Sequence, residues 1–537
     1  MLQSFYFYTL SYTDNGSVFV DYDSGNEFKI DHFSLRLASE KKTPSGEVPS
    51  LYVICVLRTC QLLKESRDWR DWAESSFAFM PSSMLEDLLA SMLTIFPGQL
   101  GVAQVRPIVL SPKLHRLDLF HARFAVELGY LFQCMFYRRL NLRSISVSLQ
   151  HQSFDCNFRY RMLKLMLERC RLLEDLHSSI HIDVDVLRNC ENLRCLRLHY
   201  DATYSFINAF KYCPDLDKLP SLQSLRVFSV CNGSNPAATL KFVSLVLKKF
   251  PMLTSVGMLE SSEALAELLQ GAKKGRSLGF QLRKCFWGVT EIERYARHHG
   301  ALCKLRASYT KRIKAAVFCC PLVEELVMEV YHSDSIQFLS QLSHLTFLSV
   351  HFPHPDQDDL PAFLSLLSKI GSQLKHLSVS GLKGLPTDFL WHTCPQLESL
   401  RLDAESATAP SGVVRDFRVR HLTVIRGEPA ILEFLLSSCP HLRELFLVKC
   451  ESLGDSLLHT VLRSNPMSEL RVALLGDCCL SQEGKGMFVQ KAKSLETFHV
   501  HSKLLGEESL TCNSAHNGCQ ALFAKEFFNV KTHGCCF

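Results

Sequence analysis

Along most of the chain one spacing returns: an apolar residue, two mostly polar ones, an apolar residue, one more, then a third apolar residue. It reads Leu114-Leu117-Leu119 in PKLHRLDL, Leu193-Leu196-Leu198 in ENLRCLRL, Leu397-Leu400-Leu402 in PQLESLRL and Leu442-Leu445-Leu447 in PHLRELFL. Looser copies begin at Leu142, Leu222, Leu253, Val323, Leu345, Leu374, Val419, Met467 and Leu495, with a poor one at Leu173. Side chains alternate along a strand, so the second and third apolar positions point into one core. The first sits on the turn leading in. The blocks start 20 to 31 residues apart, with one interval of 70. Self-similarity at such a period marks a stack of repeats, each burying its apolar side only against its neighbours.

The intervals leave room for a helix before each strand. FVSLVLKKF (242–250) and AILEFLLSSC (430–439) have helical spacing. Strands are expected at the third-position residues, including Leu119, Leu198, Leu402 and Leu447. The 70-residue interval holds either two degenerate repeats or an insertion.

Cys170, Cys190, Cys320, Cys394 and Cys439 each stand three residues before the first apolar position, in CRLL, CENL, CPLV, CPQL and CPHL. Free cysteine is small and readily buried, which suits the point where a helix turns back into a strand. The pattern resembles the cysteine-containing class of leucine-rich repeats, common in F-box and other ubiquitin-ligase receptors. The resemblance spans about residues 106–505 and implies an α/β fold: a leucine-rich-repeat solenoid of about 13–15 units, preceded by an N-terminal helical module.

Ahead of the repeats, residues 4–22 read as a hairpin around Asp14-Asn15-Gly16, since Asn-Gly between alternating strands is a strong hairpin signal. EKKTPSGEVP (40–49) is a polar break. From Ser50 to about Leu100 the pattern is helical, with Leu51, Cys55, Leu62 and Leu63 near one face and Leu85, Leu88, Leu89, Met92 and Leu93 on another stripe. The expected divisions are therefore 1–45, hairpin-containing; 46–105, helical; 106–505, repeats; and 506–537, a polar tail.

The segment Ser50-Leu51-Tyr52-Val53-Ile54-Cys55 resembles the elongin-binding box of the von Hippel–Lindau type: a small residue, Leu, three residues, Cys, three residues, an aliphatic residue. Ser50, Leu51 and Cys55 match; Thr59 holds the last position. Met80-Pro81-Ser82-Ser83-Met84-Leu85-Glu86-Asp87-Leu88 is similar to the cullin-2 box of the same receptors, with Met80, Pro81, Met84 and Leu88 in the patterned positions. The order of elongin box, cullin box and repeats resembles the repeat-containing receptors of cullin-2 ligases. It implies docking on elongin C (with elongin B) and cullin-2, with a protein substrate held by the repeats. The same MPSSMLEDLLASML also resembles the opening of an F-box, which implies a Skp-type adaptor instead. A capped amphipathic helix packed on the first repeat accounts for these residues equally, as does a binding scaffold without a ligase.

Composition adds bounds. Hydrophobic content of 47% with 21% charged residues describes an ordered chain. A net charge of +5 gives no ground for nucleic-acid binding. The first residues lack the basic and apolar regions of a secretory signal, so the 22 cysteines are expected as thiols in an intracellular protein, cytoplasmic or nuclear. No run approaches the roughly 18 apolar residues of a membrane span.

The acid-poor basic stretch 270–314, with Lys273, Lys274, Arg276, Arg283, Lys284, Arg294 and Arg297, is a candidate patch for an acidic ligand and is expected to depart from the regular repeat. His298-His299, His351 with His354, and the tail set Cys512, Cys519, His533, Cys535 and Cys536 do not complete a metal-ligand pattern. There is no GxSxG, GxxxxGK[ST] or HExxH. No enzyme, metal or cofactor is expected.

Overall fold

The computed structural model describes residues 9–12, 18–21, 51–65, 77–96, 100–119, 128–137, 141–147, 156–180, 182, 184–199, 225–231, 236–250, 252–257, 261–271, 280–288, 302–403, 407–408, 417–495 and 497–501. They fall into two compact units, one within Met1–Met258 and one within Leu259–Thr511.

In the first unit, β1 (Thr9–Tyr12) and β2 (Val18–Asp21) pair antiparallel, Thr9 opposite Asp21. The turn expected between them lies outside the described residues. Three helices follow: α1 (Leu51–Glu65), α2 (Ser82–Ile95) and α3 (Val102–Val109). Then come β3 (Arg116–Leu119), α4 (Leu128–Phe136), β4 (Ser144–Val147), α5 (Cys156–Leu167), β5 (Asp175–Ser178), a 3-10 turn (Val184–Asn189), β6 (Cys195–His199), β7 (Val227–Cys231), α6 (Pro236–Lys249) and β8 (Ser255–Gly257). Strands β3 to β8 are parallel, each hydrogen-bonded to the next in chain order. Their register stacks Leu117, Ile145, Leu176, Leu196, Phe228 and Val256 in one line, all buried. Antiparallel partners need only a short turn, whereas parallel neighbours need a crossover, which is what the segment between successive strands supplies.

The second unit continues the same plan: α7 (Ser261–Gly271), β9 (Lys284–Trp287), α8 (Leu302–Cys319), β10 (Glu325–Glu329), α9 (Ser333–Ile336), β11 (Phe347–His351), α10 (Asp359–Ile370) and β12 (His376–Ser380). A two-residue bridge joins β13 (Leu385–Pro386) to β15 (Ala407–Thr408) around α11 (Thr387–Thr393) and β14 (Ser399–Asp403). The unit ends with β16 (His421–Ile425), α12 (Pro429–Ser438), β17 (Glu444–Val448), α13 (Asp455–Ser464), β18 (Val472–Gly476), α14 (Gln482–Lys491) and β19 (Thr497–His501). Cys285, Leu326, Leu348, Leu377, Leu400, Leu422, Leu445, Ala473 and Phe498 share one line of register.

These are leucine-rich repeats. Both units are α/β solenoid built of them, and each fully buried Leu contributes about 1.5–3 kcal/mol against its neighbours. The residue three before the first apolar position closes a turn: its carbonyl accepts the N–H of that apolar residue. Leu173 donates to Cys170 at 3.1 Å, Leu193 to Cys190 at 3.0 Å, Leu397 to Cys394 at 3.2 Å and Leu442 to Cys439 at 3.4 Å. All five repeat cysteines are buried free thiols. Burial pushes Cys170 and Cys190 up to about 12 and Cys394 up to about 11.

The structure corrects the sequence reading in three places and decides one alternative it left open. The blocks begin at Leu225 and Leu470, not at Leu222 and Met467. Phe228 lies opposite Leu196, Ala473 lies opposite Leu445, and Met467 occupies the turn, accepting from the Leu470 N–H at 3.1 Å. Ala473 is too small to show in an apolar pattern, so the frame slipped onto Met467. Leu198, Leu402 and Leu447 lie in their strands one residue past the centre, and Leu119 ends β3. The 70-residue interval holds two repeats, the first of the two expected alternatives, with Cys285, Phe286 and Trp287 buried in β9 and Leu282 buried on the turn before it. Finally, the buried stripe of α1 is Val56, Cys60 and Leu63, while Cys55 is exposed and Leu62 is 38% exposed.

Candidate functional site

Helix α1 has two stripes one residue apart. Val56, Cys60 and Leu63, at i, i+4 and i+7, face the module core with 5% exposure or less. Cys55, Thr59 and Leu62 repeat that spacing about 100° round the helix and face outward, as does Tyr52 at 37% exposure. The Thr59 hydroxyl donates to the Cys55 carbonyl at 2.8 Å. Its polar atom is thus satisfied within the helix, and a hydroxyl at this position leaves no unmet donor on the outward stripe. Ser50 and the side chain of Leu51 lie outside the described residues.

Helix α2 starts after Pro81, whose missing N–H falls where a helix has no partner to offer. Leu85, Leu88, Leu89 and Met92 are buried, whereas Pro81 is exposed and Met80 and Met84 are half-buried. Leu88 therefore belongs to the module core; its carbonyl lies 3.9 Å from the Cys60 sulfur. Of the four patterned positions, Met80, Pro81 and Met84 are the ones reachable from solvent, beside Phe79 at 84% exposure. The module is fastened to the first repeat: the His115 N–H donates to the Ser82 hydroxyl at 3.2 Å, and the Ser111 hydroxyl donates to the Phe77 carbonyl at 2.9 Å. Sequence reasoning missed Tyr52, Leu62 and Phe79 as surface groups. The sequence pattern groups Leu62 with Leu63 on one face, and only the helix phase separates the stripes.

At its described positions the basic stretch is partly paired and partly open, with Lys311 and Lys314 exposed on α8. Arg283 pairs with Glu324 at 2.8 Å, just ahead of β9 and β10, and Lys284 with Glu325 at 2.9 Å, from one strand to the next. Arg312 is buried, donating to the Gly288 carbonyl at 3.2 Å with Glu263 at 3.7 Å. Lys273, Lys274, Arg276, Arg294 and Arg297 lie outside the described residues. So do His298, His299 and the C-terminal cysteine and histidine set. His351 is held by the Ser380 hydroxyl at 2.9 Å, and His354 is exposed. Among the described residues no three metal-binding side chains cluster, and no helix is long and apolar enough to cross a membrane.

No family model matches the chain, and no curated protein matches it by sequence. Solved structures do. The TLR13–ssRNA13 complex matches at 16% identity and TM-score 0.35, over 73% of this chain and 50% of its own. The Rad7–Elc1 complex of yeast matches at 14% identity and TM-score 0.39, over 82% and 96%. The leucine-rich-repeat protein LIC12759 of Leptospira interrogans matches at 10% identity and TM-score 0.24, over 74% and 91%. This chain thus spans half the length of the TLR13 chain it matches.

Proposed function

We propose that the chain is the substrate-recognition subunit of a cullin–RING ubiquitin ligase. Helix α1 docks in a groove of elongin C, with elongin B alongside; the start of α2 meets cullin-2, and the repeats hold a protein substrate. The chain itself performs no covalent step. It raises the effective concentration of substrate near the catalytic partners.

The observation that carries this reading is the division of α1 into two faces. The inward stripe fixes the helix to α2, while Tyr52, Cys55, Thr59 and Leu62 stay accessible. Helix-in-groove recognition needs such a stripe on a preformed helix. Met80, Pro81 and Met84 stand on the neighbouring helix and are open to a second partner.

The test is capture of purified elongin B–C, a Skp-type adaptor, or neither by the full chain. Leu51→Ser with Cys55→Phe should abolish elongin capture with the repeats still folded. Capture of the Skp-type adaptor would establish the F-box alternative, and capture of neither would leave a repeat scaffold without a ligase.

A further inference from the structure

The edge of the second unit that leads into its strands carries three arginines on consecutive rungs. Arg420, Arg443 and Arg471 each follow the first apolar residue of their repeat. Their backbones are linked in a ladder: the Arg443 N–H donates to the Arg420 carbonyl at 2.8 Å, and the Arg471 N–H to the Arg443 carbonyl at 2.8 Å. Arg420 and Arg471 are exposed, Arg443 is half-exposed, and Arg418 stands exposed beside the first rung. Three described carboxylates share this edge, and one of them, Glu444, lies 3.3 Å from His421. Glu398 is 3.9 Å from Arg420; Glu469 is 3.6 Å from Arg443 and 2.9 Å from His441. Pairs this open to solvent are weak and yield readily to a competing carboxylate.

The spacing selects a partner. Neighbouring strands lie about 4.7–4.9 Å apart, so the three rungs stand at 0, about 4.8 and about 9.6 Å. An α-helix rises 1.5 Å per residue, and carboxylates at i, i+3 and i+7 stand on one face at 0, about 4.5 and about 10.5 Å. The two ladders match to within about an ångström, less than the reach of an arginine side chain. Single-stranded nucleic acid is a poorer fit, since it uses aromatic platforms for its bases. The segments 418–421, 441–444 and 469–472 contain no Phe, Tyr or Trp, and Glu398 and Glu469 would repel phosphates.

We propose that this edge binds an acidic helical segment of a partner protein, with Asp or Glu at i, i+3 and i+7 facing Arg420, Arg443 and Arg471. The proposal does not depend on the adaptor reading, because it concerns a different unit and a different partner.

The test uses the full chain and a fluorescent Ala/Gln-rich helical peptide bearing Glu at i, i+3 and i+7 on one face. A peptide of the same composition with its Glu spread around the helix, and a single-stranded oligonucleotide, serve as comparisons. The one-faced peptide should bind, and its affinity should fall as salt rises. Changing Arg420, Arg443 and Arg471 together to Gln should weaken it about ten- to a hundred-fold, three exposed pairs at up to about 1 kcal/mol each. The charge-reversed set, each Arg→Glu, should weaken it further while the circular-dichroism melt stays put. No binding, equal binding of the scrambled peptide, or tighter binding of the oligonucleotide would overturn the proposal.

Discussion

The Tyr52 hydroxyl donates to a carboxylate oxygen of Asp87 at 2.7 Å, tying α1 to α2 from the rim of the module. The buried contacts of Val56, Cys60 and Leu63 set the distance between the two helices, and this bond adds a specific rotation.

Tyr52→Phe should therefore loosen α1 without unfolding it. One hydrogen bond at a solvent-exposed site is worth about 1 kcal/mol. Amide exchange over residues 51–65 should quicken about five-fold, with β16 and β17 unchanged. Equal exchange in the variant would show that apolar packing alone orients the helix.

Asn465 should be among the most sensitive polar positions of the second unit. It is buried, and its amide donates to the carbonyls of Leu436 at 2.6 Å and Cys439 at 3.0 Å. Its side-chain oxygen accepts the Met467 N–H at 3.0 Å, holding Met467 at φ 51. Asn465→Ala removes three hydrogen bonds and strands the Met467 N–H, while the Cys439 carbonyl keeps the Leu442 N–H, a cost of about 2–4 kcal/mol. The denaturation midpoint of the variant should drop accordingly; a midpoint unchanged from the parent would mean that water replaces the amide.

Stability should decline mildly below neutral pH through His376. Burial holds its pKa below the usual 6.5, outweighing the opposite pull of Glu398; His421 and Lys375 lower it further. Between that lowered value and 6.5 the unfolded chain binds the proton more readily than the native one. Native stability is therefore full above about pH 6.5 and falls as pH drops through the window. Subtracting the pH profile of His376→Gln from that of the parent should leave this slope. A difference that rises toward acid would contradict it.

How much of this was legible before the structure follows from side-chain size. Leu-x-x-Leu-x-Leu announces a strand and its turn wherever all three positions are large. Cys285 and Trp287 broke the spelling, so the repeat at β9 could be read only as one of two alternatives, and Ala473 shifted the frame at β18 onto Met467. The thiols were legible because one small residue recurs at one phase. The module was legible as helices but not as faces, because Cys55 and Leu62 count as apolar in any pattern and only packing shows them outward. The ladder was only half legible: the blocks at Val419 and Leu442 align Arg420 with Arg443, but the frame slip onto Met467 left Arg471 out until the register restored it.

Thiol labelling provides a footprint for the docking face. The thiolate is the reactive form, so a thiol both buried and raised in pKa is inert. Cys170, Cys190, Cys320, Cys394 and Cys439 meet both conditions. Among the described residues Cys55 and Cys479 are exposed. A maleimide added to the native chain should therefore modify Cys55 and Cys479 rapidly and the five repeat cysteines only on unfolding, as peptide mass spectrometry would read. Saturating elongin B–C should then slow labelling at Cys55 while Cys479, in the other unit, keeps its rate and serves as the internal control. If Cys55 reacts equally fast with and without the adaptor, α1 is not the docking helix. Slowing at both cysteines would mean that the adaptor acts on the whole chain and not through this face.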